Sequence, residues 1–395
     1  MLLLCLLLAA DPSGEADPPP AAAAALEFEA AALADEIAAD HPDWPLVVGL
    51  SDGERTAIVA RGGRRPHDPH PDAGLDGDTL FEIGSVTKTL TGLLLADAIG
   101  RGEVSERTTV GEVRPELTLS DEVAAIRLVD LAQHQAGLPR IADGTMPQML
   151  GKMIAADQLK RLPIPGLAAW TDRTLKPNQP YAGQTRETLD GFLRDLELSE
   201  DRGFAYSNLG VAILTDCLCR RADRDYADLV ADRVLTPLGL DDTFVIVPES
   251  ERPRLIAGTM KGLPMPHWER SATLDGVGGL KASARDLLAY GRAMIDPPEP
   301  LRDAVLRATK PTRRAGAKLS IGYGWMLPET TPDGPKPRDR IRPSEQSGWH
   351  NGSTFGASSE IAFDRATGRV AVLLIAAGDA PTGSVQRLLK PLAAE

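Results

Sequence analysis

A chain of 395 residues with 43% hydrophobic content can bury one large core or two cooperating ones, so a compact globular enzyme is the expected class. Its net charge of −13 argues against a nucleic-acid binder, which would need a basic stripe to displace phosphate counterions, and a small-molecule or peptide substrate is expected instead. The three cysteines imply no disulfide framework.

Met1 to Ala10 is an apolar run that breaks at Asp11, Pro12 and Ser13. It is shorter than the roughly 20 residues a membrane span needs and suits the apolar region of an export signal, although no basic segment precedes it. An unprocessed N-terminal tail is the alternative. The Pro-, Ala- and acid-rich stretch that follows cannot support a core, so residues 1–25 are expected to be export signal and linker. That signal implies a periplasmic or secreted protein with no stable membrane span. Leu26, Ala30, Leu33 and Ile37 recur at helical spacing as far as Ala39, and Pro42 ends the pattern. A hairpin follows, Leu46 to Leu50 and Thr56 to Ala60, turning at Asp52-Gly53.

Phe81 to Lys88 opens a helix whose apolar face is Val86, Leu90, Leu93, Leu94 and Ala98. Ser85 stands at its start, preceded by Gly84. Residues three apart share a helix face, so Lys88 can hold its amine against the Ser85 hydroxyl. A serine hydroxyl is a poor nucleophile until a neighbouring base takes its proton, and an amine does so only when burial and nearby positive charge lower its pKa. The helix start also favours the negative charge that develops when Ser85 attacks a carbonyl. Alone, Ser-x-x-Lys is a weak pattern whose alternative is a surface pair on an ordinary helix.

Further helices are expected at Val123 to Gln133, Arg186 to Leu196, Gly210 to Arg221 and Tyr226 to Val234. An irregular Pro-rich stretch, Leu162 to Tyr181, is long enough to be functional. Just before the Gly210 helix lies Phe204 to Gly210. There Tyr206 can relay or accept the nucleophile's proton, and Asn208 can donate an amide hydrogen bond to a substrate carbonyl. The alternative is a buried tyrosine beside a capping Ser or Asn. Gly348 to Ser353 supplies a third element. His350, a basic group, followed by Gly352 on an inner-edge strand lets a substrate backbone approach closely and pair with the strand, and the Ser353 N–H would complete an oxyanion hole with that of Ser85. The alternative is a turn histidine between strands.

Strands at Glu360 to Phe363 and Val370 to Ala377 and an amphipathic segment, Val385 to Lys390, close the chain. Strands at both ends around a helix-rich middle predict an α/β sandwich, an antiparallel sheet flanked by helices, plus an inserted, mainly helical domain. The expected division is 26–82 with 272–395 for the sheet domain and 83–271 for the helical one, with the active site in the cleft between. His67, Asp68, His70 and Asp72 are metal-ligand types, but two prolines and flanking Arg64 and Arg65 make a solvent loop; no metal is expected. No dinucleotide or phosphate loop is present in the sequence, and no cofactor is expected. Trp349, beside His350, is the tryptophan expected to line a cleft.

Ser85-x-x-Lys88, Tyr206-x-Asn208 and His350-x-Gly352, in that order, resemble the motifs of the serine β-lactamase and penicillin-binding-protein superfamily, which includes class C β-lactamases, D-Ala-D-Ala peptidases and esterases. The stretches Leu128 to Pro139, Leu235 to Leu240 and Gly278 to Leu287 resemble habitual family segments, so the likeness runs from about Phe81 to Ala377. It implies a serine hydrolase with Ser85, Lys88 and Tyr206 catalytic, and with Asn208, His350, Gly352 and Ser353 binding substrate. Class C β-lactamases usually carry Lys where His350 stands, and the peptidases and esterases more often His. The resemblance therefore implies a D-Ala-D-Ala carboxypeptidase or endopeptidase acting on peptidoglycan-type peptides, with a carboxylesterase or a class C-like β-lactamase as alternatives. A penicillin-binding sensor that acylates without turnover is the alternative of another class.

Overall fold

The computed structural model describes residues 21–140, 162–164, 185–200, 202–268, 270–316, 319–328 and 346–390. Nearly all of the Pro-rich stretch Leu162 to Tyr181, and most of the expected signal and linker, lie outside these residues.

Eight strands form one wholly antiparallel sheet in the order β2-β1-β13-β12-β11-β10-β9-β8. The N-terminal pair is β1 (Leu46–Ser51) and β2 (Thr56–Arg61). The C-terminal part holds β8 (Arg313–Gly316), β9 (Leu319–Ile321), β10 (Met326–Pro328), β11 (Ser347–Ser353), β12 (Ser358–Asp364) and β13 (Arg369–Ile375). Chain ends meet where β1 pairs with β13, from Leu46 opposite Ile375 to Ser51 opposite Val370. Short strands β3 (Phe81–Glu82), β7 (Lys281–Ala282) and β4 (Thr243–Phe244) make a second small sheet, and β5 (Thr259–Met260) pairs with β6 (Leu263–Pro264).

The central strands are buried on both faces because helices cover both. Alternate side chains of β1 and β13 divide accordingly. Leu46, Val48, Leu50, Leu373 and Ile375 pack with Leu26 and Leu33 of the first helix, Ala21–Asp40, and with Leu388 of the C-terminal turn Val385–Leu389. Val47, Val370, Val372 and Leu374 face Leu287 and Leu288 of helix Ala284–Ile295 and the large core beyond. The first helix begins at Ala21, five residues inside the expected linker, because an alanine run is the best helix former available. The segment expected as one helix from Val123 to Gln133 is two, Asp121–Ala124 and Leu128–Ala132. Ser120 caps the start of the first piece, Ala125 closes it, and the break falls at the extended Arg127 that precedes the second. The last amphipathic segment is a 3-10 turn rather than an α-helix.

A buried ion pair ties both chain ends to this sheet. Arg369 Nη1 donates to Glu29 Oε2 at 2.5 Å and to the Leu388 carbonyl at 3.0 Å, with the two side chains 8% and 6% exposed. Removing one partner of such a pair strands the other charge, so Glu29→Ala is expected to lower stability by about 3 kcal/mol. Urea unfolding of the variant against the parent checks this, and no change in midpoint would show the pair to be dispensable. Among the described residues no helix is long and apolar enough to cross a membrane.

Candidate active site

The nucleophile candidate sits where the small sheet hands the chain to its central helix. β3 leads through Ile83 into a 3-10 turn, Gly84–Val86, and then into helix Thr87–Gly100. That turn is clamped: Ile83 N–H donates to the Leu280 carbonyl at 3.0 Å, and the Ile83 carbonyl accepts from Ser359 Oγ at 2.7 Å. Gly84 has φ of +47°, and a Cβ there would lie 2.7 Å from the backbone nitrogen of Ser353. Across the gap, a Cβ on Gly352 would collide with the Ile83 carbonyl oxygen and lie 2.7 Å from the Ser85 nitrogen. Two glycines thus let β11 press directly on the turn, and they bring the Ser85 and Ser353 amides onto touching elements.

Helix geometry does the rest for Lys88. Its Nζ lies 2.8 Å from Ser85 Oγ and 2.7 Å from the Val277 carbonyl, and the residue is 2% exposed. Burial holds its pKa well below the usual lysine value, and the Arg140 guanidinium pushes the same way. An amine shifted in this direction is the more ready to take the Ser85 hydroxyl proton, which is what a base must do.

Tyr206 is placed by a zipper of backbone bonds between two segments. Ala205 N–H donates to the His134 carbonyl at 2.8 Å, Ser207 N–H to His134 Nδ1 at 3.2 Å, and Asn208 N–H to the Arg140 carbonyl at 2.8 Å. Ser207 caps helix Asn208–Ala222 by accepting from Gly210 N–H, and it donates to the Pro139 carbonyl at 2.6 Å. The Tyr206 ring therefore lies 5.3 Å from Lys88 Nζ, 5.4 Å from Arg140 Cζ and 4.4 Å from the His134 ring centre.

His350, from β11, faces the same space, its ring centre 6.3 Å from that of Tyr206. It is 2% exposed, and burial, helped by Lys88, drives its pKa down to about 3. The ring is therefore neutral at physiological pH. Nδ1 sits 2.6 Å from the Asn351 carbonyl oxygen, which can only accept, so Nδ1 carries the proton and Nε2 is left as a lone-pair acceptor. Trp349, expected in the cleft, points to the other face: it packs against the terminal-helix core, because neighbouring side chains on a strand alternate.

These groups line one cavity of about 540 Å³, together with Asn208, Ser353, Val277, Trp268, Phe355, Met260 and Met326. All of the expected site residues except Gly352 line it, and Gly352 works beneath, as the close contact. Two residues of the site had not been singled out. Arg140 follows directly on the Gly137-Leu138-Pro139 turn, an Arg at the rim of a family-like segment being the available signal. His134 lies inside that segment, and its clamp on Tyr206 depends on a tertiary contact that sequence spacing does not display.

The chain matches the beta-lactamase family model over residues 46–394. It is 25% identical over 260 residues to a beta-lactamase of Yersinia enterocolitica, covering 63% of this chain and 56% of that one. It is 24% identical over 245 residues to the D-alanyl-D-alanine-carboxypeptidase/endopeptidase AmpH of Escherichia coli K12, covering 60% and 54% respectively. The matched part spans a little over half the length of these curated relatives. In fold the chain resembles a class C beta lactamase from Rhodobacter sphaeroides, with a TM-score of 0.70, 22% identity, and 91% of this chain and 96% of that one covered.

Proposed function

The chain belongs to the beta-lactamase family, and from that premise we propose that it is a serine hydrolase that forms an acyl-enzyme at Ser85 and acts on D-Ala-D-Ala type peptides outside the cytoplasm. One observation carries the reading: a buried amine, its pKa held well below the usual lysine value by that burial, lies 2.8 Å from the Ser85 hydroxyl at the wall of a cavity. Ser85 Oγ attacks the scissile carbonyl while Lys88 takes its proton. The Ser85 and Ser353 N–H groups receive the developing oxyanion, and Asn208 orients the acyl side. The proton passes by way of Tyr206 to the leaving amine, and water then resolves the ester. The likeness to a carboxypeptidase/endopeptidase supports the peptide substrate.

A second reading, hydrolysis of small carboxylic esters, is favoured by the neutral His350. A Lys or an imidazolium at this position would draw a substrate carboxylate, whereas a ring with its pKa near 3 supplies no charge at working pH. Selectivity between a carboxylate-bearing substrate and its uncharged counterpart is therefore expected to stay flat from about pH 5.5 to about pH 8.5, a window bracketing the ordinary histidine titration. A fall in selectivity through neutrality would show that His350 titrates there.

The function itself is tested by incubating the protein with a fluorescent penicillin, a chromogenic cephalosporin, a nitrophenyl ester and a D-Ala-D-Ala peptide, comparing acylation with turnover. Covalent labelling with peptide turnover ahead of cephalosporin turnover is expected. Ester turnover alone would favour the esterase, labelling without any turnover would reveal a sensor, and no acylation at all would sink the reading.

A further inference from the structure

Taking the acyl-transfer reading as its basis, we infer that Arg140 anchors a carboxylate of the substrate and so sets the specificity of the cleft for anionic leaving groups. Among the described residues that line the cavity there is no Asp or Glu, and the only cationic side-chain types are Lys88 and Arg140. In a chain of net charge −13 that is a local inversion. Lys88 is buried and spends its contacts on Ser85 and Val277. His350 offers a lone pair, which repels a carboxylate rather than binding it. That leaves Arg140, whose planar guanidinium fork of donors matches two carboxylate oxygens.

Its placement fits the task. The Arg140 carbonyl accepts from Asn208 N–H at 2.8 Å and from Leu209 N–H at 3.4 Å, so the residue is pinned to the start of the helix that carries Asn208. The guanidinium lies over the Tyr206 ring, 5.4 Å from its centre, while Lys88 Nζ lies 5.3 Å from the same centre. The guanidinium and the base beside Ser85 thus share the Tyr206 ring as a common neighbour. Arg140 is solvent-exposed, so an entering anion meets it without breaking a buried contact. Carboxylate capture thus moves from the β11 wall to the opposite wall, beside Tyr206.

The test uses a matched pair of acylglycyl aryl esters, one with a meta-carboxylate on its leaving phenol and the other with a meta-carboxamide, so that both reading alternatives can process them. kcat/KM is measured for the wild type, Arg140→Gln and Arg140→Lys, with circular dichroism to verify folding. The acid-over-amide preference of the wild type is expected to fall by about 10- to 100-fold in Arg140→Gln, the usual worth of a hydrogen bond to a charged group. Arg140→Lys should retain part of it, having charge without the fork. Any effect of Arg140 on the proton of Lys88 acts on both esters alike and cancels in the ratio. A preference unchanged in Arg140→Gln while both esters turn over overturns the inference alone. Failure of either ester to acylate Ser85 in the wild type overturns the acyl-transfer reading and the inference with it.

Discussion

Ser85→Ala is expected to abolish covalent labelling by a fluorescent penicillin and to cut turnover of any acyl substrate by about 10⁴-fold or more, the scale on which losing a nucleophile acts. The loss should come without unfolding. Ser85 is only half-buried, and its turn is capped by Ile83 without a side-chain bond, so alanine removes no cap. Thermal melting together with mass spectrometry of the acylated protein makes the check. A protein that melts like the parent but carries no adduct supports the assignment, and an adduct that persists on another residue refutes it.

Lys88→Met is expected to slow acylation by at least ~100-fold, the lower range for a positioned proton-transfer group. Methionine nearly matches the buried stem, so what is lost is the lone pair at 2.8 Å from Ser85 Oγ and the donor to Val277. Tyr206→Phe should slow acylation too, and combining the two should cost much less than the product of the single losses, because groups that pass one proton act as a unit. Stopped-flow acylation of the four proteins closes the cycle. Fully multiplicative losses would show that Lys88 and Tyr206 work independently. In the wild type, burial holds the pKa of Lys88 well below the usual lysine value. Acylation should accordingly plateau early as pH rises instead of climbing toward the usual lysine range.

The helix that opens at Ser85 was legible because its apolar spacing and the preceding Gly84 are both local signals, and the sheet built from the two chain ends was legible because its strands alternate or run apolar. What local pattern could not carry was the depth at which a side chain lies. The charge of His350 depends on being walled in by Lys88, Tyr206 and its own strand, and that burial, not the residue type, sets it. Arg140 went unread for a related reason: its meaning comes from the ring above which it lies, 66 residues away in sequence. The break at Arg127 was missed because apolar periodicity continued across it, while backbone hydrogen bonding did not.

The pairing of β1 with β13 also governs when the site can come into existence. Leu46 waits for Ile375, so at ribosomal rates of about 5–20 residues per second the first strand, paired only with β2, stays without its β13 neighbour for roughly 15–65 s. The turn bearing Ser85 likewise waits for Gly352 and Ser359, which are made late. A nascent chain therefore holds a complete Ser-x-x-Lys helix with no strand pressed against it. Reactivity toward acyl donors should switch on abruptly, as a property of the finished polypeptide, and chains stalled before β11 should be inert however much helix they contain.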